Sequence, residues 1–107
     1  MIAIIDYGAG NIFSIKNALD YLGEENKLTK DKNDLVNADA IILPGVGAFP
    51  SAMKMLDESG LTETVKEQAL KKPFLGICLG MQMLFEKSYE FEECDGLGLI
   101  KGKVDLI

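Results

Sequence analysis

Apolar positions along this chain come in two rhythms, short unbroken runs and runs spaced at three and four residues, and the two alternate. Ile2 to Ile5 is unbroken and predicts a fully buried strand. After a glycine-containing turn over Tyr7 to Asn11, the spacing of Ile12, Ile15, Ala18, Leu19 and Leu22 predicts a helix, with Gly23 placed to end it. Residues 25–29 predict a weak strand and residues 31–37 a short helix. Ala40 to Leu43 is a second buried strand, closed by Pro44, which has no N–H to give a ladder. Helices follow over about 50–58 and 61–72, the latter acidic at its start and closed by Lys71 and Lys72, a polarity that suits the helix dipole. Phe74 to Ile77 is a third buried strand, Leu79 to Phe85 a helix, and Leu97 to Ile107 a late strand or hairpin. Alternation of this kind predicts an α/β domain in three layers: an open, mainly parallel sheet with helices on both faces.

Composition narrows what such a domain does. At 107 residues the chain is expected to be a single domain over 1–107, and its 48% apolar content suits an ordered core. Seventeen acidic against eleven basic residues give a charge of −6, which repels phosphate backbones and argues against a nucleic-acid partner. The acidic run Glu86 to Asp95 reads as a solvated face or loop rather than a metal site. No basic leader precedes the first strand and no apolar run approaches membrane length, so the expectation is a cytoplasmic protein with no membrane partner. Two cysteines and no histidine are too few for a structural zinc site, and neither a metal nor a cofactor is expected.

In an open parallel sheet, the loops at the carboxyl ends of the strands share one edge, where α/β sites are built. Asp6 to Asn11, Pro44 to Phe49 and Cys78 to Gln82 are therefore expected on one side. The third loop carries the sharpest chemistry. Gly76-Ile77-Cys78-Leu79-Gly80, between strand and helix, is the cysteine counterpart of the G-x-S-x-G nucleophile elbow, whose strained turn needs small residues on either side of the nucleophile. Acyl transfer also needs donors aimed at the oxyanion. Gly45-Val46-Gly47 can present unobstructed backbone N–H groups, and the Leu79 N–H is the natural second donor. Gly8-Ala9-Gly10 lacks the third glycine of a dinucleotide fingerprint, since position 13 is Phe. Cys94 has no comparable setting and reads as a bystander. Met81, Met83, Leu84 and Phe85 read as core on the elbow helix.

Taken with Pro44-Gly45-Val46-Gly47-Ala48-Phe49 and Ile5-Asp6-Tyr7-Gly8-Ala9-Gly10-Asn11, the run Gly76-Ile77-Cys78-Leu79-Gly80-Met81-Gln82 closely resembles the class I (triad-type) glutamine amidotransferases. Within them it is most similar to the glutaminase subunits of imidazole glycerol phosphate synthase, which act in histidine biosynthesis. The resemblance implies that Cys78 attacks the glutamine side-chain amide and that water hydrolyses the resulting thioester to glutamate. The ammonia would pass to a (β/α)8-barrel cyclase subunit in a heterodimer. Gly47 and Gln82 match positions that help hold glutamine, and the Val46–Gly47 peptide matches the oxyanion strand. Gly10 and Asn11 match a region facing the cyclase. The family completes its triad with a histidine and a glutamate in an H-P-E setting, and this sequence contains no histidine. The expectation is an N-terminal portion of a longer protein, nearly inactive alone because the thiol lacks its base. Other readings of the same residues are a non-catalytic partner-binding module and an amidotransferase supplying another pathway, such as surface-sugar synthesis. A reactive-cysteine, deglycase-like protein fits Pro44 to Gly47 and Gln82 less well.

Overall fold

The structure, a computed structural model, describes residues 1–89 and 93–105. Four parallel strands, β1 (Ile2–Ile5), β2 (Asn26–Thr29), β3 (Ala40–Leu43) and β4 (Phe74–Gly76), form a sheet in the order β2-β1-β3-β4. The chain moves outward from β1 to β2, then crosses back to β3 and on to β4. The strand order reverses between β1 and β3. The α/β class and the mainly parallel sheet expected from the apolar rhythm are both present.

Side chains alternate across the sheet and divide its two faces. Ala3, Ile5, Ile41 and Leu43 join one cluster with residues of α2 (Lys32–Asn37), α3 (Phe49–Glu58), α4 (Thr62–Ala69) and α5 (Leu79–Gln82). Phe49, Leu56, Leu61 and Val65 are fully buried there, each worth roughly 1.5–3 kcal/mol of apolar transfer. On the other face lies α1 (Ile12–Tyr21), none of whose side chains is buried. Beside it runs a groove of about 290 Å³ lined by Ile2, Leu19, Ala40, Ile42, Pro73, Phe74 and Leu75. The strand at Phe74, expected to be buried, is therefore a half-covered edge, with Leu75 55% exposed.

The C-terminal region departs most from expectation. The helix begun at Leu79 ends after one turn at Gln82, because Leu97 N–H takes the Met83 carbonyl at 2.8 Å and Leu99 and Ile100 N–H take that of Leu84. Phe85 instead opens β5 (Phe85–Ser88), which pairs with β6 (Cys94–Asp95) antiparallel and with β7 (Ile100–Val104) parallel in a second, three-stranded sheet. The acidic run is thus partly strand, with Glu86, Glu93 and Asp95 exposed as a solvated face, although residues 90–92 fall outside the described residues, as do 106–107 of the late strand. Met83 and Leu84 are core, as expected, but Met81 is 44% exposed. No helix of the described residues is long and apolar enough to cross a membrane.

The helix expected to run to residue 72 ends at Ala69, and of the two lysines beyond it Lys71 pairs back with Glu67 while Lys72 reaches across to α2. Its Nζ donates to the carbonyls of Leu35, Val36 and Ala38 at 2.8–2.9 Å, capping the C-terminal end of α2 with a positive charge. Replacing Lys72 by Met keeps the stem and removes the donors. Urea denaturation should then show a loss of about 1–3 kcal/mol, and Lys71→Met should cost much less.

Candidate active site

The chain follows β3 up to the residue before the cysteine, where Ile77 N–H donates to the Leu43 carbonyl at 3.0 Å. Cys78 then turns at φ 56°, ψ −123°, the one non-glycine residue with positive φ among the described residues. Such a conformation costs of order 1–3 kcal/mol and persists only where the surroundings enforce it. Enforcement comes from both sides. A Cβ on Gly76 would lie 2.7 Å from Met81 Cα, and one on Gly80 would collide with the Leu43 carbonyl. After the turn, Gly80 N–H bonds to the Ile77 carbonyl and Met81 N–H to that of Cys78, at 2.9 and 3.0 Å. The nucleophile elbow drawn from the glycine spacing is therefore present in form, with Cys78 exposed at its tip.

The loop after β3 meets the elbow edge to edge. Gly45 is buried so tightly that a Cβ there would sit 2.6 Å from Gly80 N and 3.1 Å from the Tyr7 hydroxyl. Its carbonyl accepts the Leu79 N–H at 3.1 Å. Beyond this anchored base the tip is free: Val46 is 56% exposed, and Gly47, at φ 91°, has nothing within 4 Å of a would-be Cβ. Gly45, Val46, Gly47, Cys78, Leu79, Met81 and Gln82 line one open cleft of about 380 Å³. Cys78 is the one ionisable group in that lining.

The loop after β1 is the third component. Gly10, at φ 107°, packs against the loop base, where a Cβ would lie 2.8 Å from Pro44 Cβ. Asn11 is exposed and gives α1 no side-chain cap. Val46, Gly47, Leu79 and Gln82 thus share the cleft with Cys78, while Gly10 and Asn11 stand on the adjoining loop. Sequence reasoning passed over Tyr7. It is buried, its hydroxyl donates to the Pro44 carbonyl at 2.6 Å, and the Met83 sulfur lies 3.3 Å away. Burial pushes its pKa up to about 12. An aromatic residue between Asp6 and Gly8, in a loop otherwise of small residues, was the signal available. Cys94 sits half-buried on β6 of the second sheet.

A family model for the CobB/CobQ-like glutamine amidotransferase domain matches residues 1–106. A Bacillus cereus (strain G9842) protein named imidazole glycerol phosphate synthase subunit HisH is 55% identical over 105 residues, which cover 97% of this chain and 50% of that one. Its namesake in Exiguobacterium sibiricum is 56% identical, over 98% of this chain and 54% of its own. The chain spans about half the length of the curated relatives it matches. A crystal structure of a glutamine amidotransferase superposes at a TM-score of 0.79 and 26% identity, covering 98% of this chain and 56% of the other. A putative peptidase E from Listeria monocytogenes EGD-e, at 17% identity and TM-score 0.68, shares the fold.

Proposed function

Because the chain belongs to the family of CobB/CobQ-like glutamine amidotransferase domains, we propose that Cys78 is its glutamine-directed nucleophile. The observation that carries this reading is the strained Cys78 turn facing the exposed tip of the Gly45–Gly47 loop across one cleft. Cys78 Sγ would attack the side-chain amide carbon of glutamine, breaking the C–N bond and releasing ammonia, which leaves with the thiol proton. Water then cleaves the thioester, giving glutamate and restoring the thiol.

The developing oxyanion needs N–H donors. The Leu79 N–H is held by the Gly45 carbonyl at 3.1 Å, so in this arrangement it is not available as the second donor. The exposed tip would supply the Val46–Gly47 peptide, with open space beside Gly47. Gln82, half-buried at the cleft wall, would hold the substrate together with Gly47. The proton acceptor for the thiol would come from the half of the relatives that this chain does not span. The likeness to relatives named imidazole glycerol phosphate synthase subunit HisH supports a role in histidine biosynthesis. The ammonia would go to a cyclase subunit, a (β/α)8 barrel, docked over the loop of Gly10 and Asn11.

The test is cysteine replacement in this chain joined to the remaining half of the Bacillus cereus relative. Cys78→Ser should abolish glutamate release, and Cys94→Ser should leave it within about twofold, since Cys94 lies on β6 of the second sheet and does not line the cleft. Retained activity in Cys78→Ser would overturn the proposal.

A further inference from the structure

We propose that Tyr7 is a positioning residue that clamps the base of the Pro44–Gly47 loop and so sets where its tip stands relative to Cys78. The inference rests on the reading of Cys78 as a glutamine-directed nucleophile and deepens it.

The loop is held from two sides at its start, and its tip, Val46 and Gly47, is exposed. Tyr7 Oη donates to the Pro44 carbonyl at 2.6 Å, a contact between residues 37 apart in sequence. The next residue, Gly45, is wedged against Gly80 N and the Tyr7 hydroxyl, and its carbonyl holds Leu79 N–H. One phenol therefore touches the loop after β1, the loop after β3 and, through the Met83 sulfur at 3.3 Å, the chain just past α5. A hydroxyl has a single proton to give, and a carbonyl is a far better acceptor than a thioether. The raised pKa, about 12, keeps that proton in place throughout the physiological range. Removing the hydroxyl leaves a buried carbonyl without its donor, and the cheapest response is movement of the loop base. A displaced base carries Val46 and Gly47 away from the thiol without changing the thiol itself.

The experiment compares two alkylation rates at Cys78 in the wild type and in Tyr7→Phe. One reagent is a chloroketone isostere of glutamine, which needs the loop; the other is iodoacetamide, which does not. The wild type should favour the isostere over a chloroketone lacking the amide. Tyr7→Phe should lose about tenfold on the isostere, equivalent to one well-formed hydrogen bond, and stay within about twofold on iodoacetamide. Met83→Leu, which removes only the weaker acceptor, should behave as the wild type. Equal rates in wild type and Tyr7→Phe, or an equal fall with both reagents, would overturn the assignment while leaving the Cys78 reading intact. A wild type indifferent to the amide would overturn both. Hydrogen exchange on the wild type gives a check that needs no variant: the Leu79 amide should exchange far more slowly than that of Val46. Comparable exchange would mean an unclamped base and end the proposal.

Discussion

Given glutamine, this 107-residue chain should release glutamate at least about a thousandfold more slowly than the same chain joined to the remaining half of its Bacillus cereus relative. Cysteine nucleophiles of this kind work as a unit with a base that takes the thiol proton and returns it to the leaving amine. The chain contains no histidine. In the cleft, the residues around Cys78 are glycines, Val46, Leu79, Met81 and Gln82, none of which exchanges a proton near neutrality. Coupled measurement of glutamate and ammonia checks the prediction. A chain that turned over glutamine as fast alone as when joined would show that a base had been overlooked.

Gly80→Ala should be the most damaging single substitution in the elbow, costing about 3 kcal/mol or more, with Gly76→Ala close behind. The Cβ added at Gly80 would collide with the Leu43 carbonyl and lie 2.9 Å from its carbon, both backbone atoms of a buried strand that cannot step aside. At Gly76 the obstruction is the Met81 backbone, at 2.7–2.8 Å. Relief in either case means separating α5 from β3 or unwinding the Cys78 turn. Total stability for a domain of this size is only about 5–15 kcal/mol, so the loss should be plain in urea or thermal unfolding. Gly98→Ala provides the contrast. Its φ of 70° makes alanine strained, but nothing lies within 4 Å, and about 1 kcal/mol is expected.

The elements legible in the sequence were those whose cause is local. β1 and β3 could be read because Ile2–Ile5 and Ala40–Leu43 are unbroken apolar runs and both lie inside the sheet. The elbow could be read because its glycines are dictated by clearances within a few residues. What escaped depended on distant partners. An apolar run looks the same whether its strand is covered or left at an edge, so the exposure of Leu75 carried no mark. The early end of α5 follows from Leu97, Leu99 and Ile100 claiming the carbonyls of Met83 and Leu84, and no residue near Phe85 announces it. Lys72 was read as a helix-closing charge, yet it reaches across to cap α2. Tyr7 was hidden for the same reason, its partner being a carbonyl beyond two intervening helices.

The central claim, that Cys78 is built to attack glutamine, is tested most directly by treating the chain with the glutamine-isosteric chloroketone and mapping the adduct by peptide mass spectrometry. A single adduct on Cys78, suppressed by excess glutamine and absent from Cys94, is the predicted result. Equal labelling of both cysteines, or labelling of Cys78 that glutamine does not slow, would contradict it.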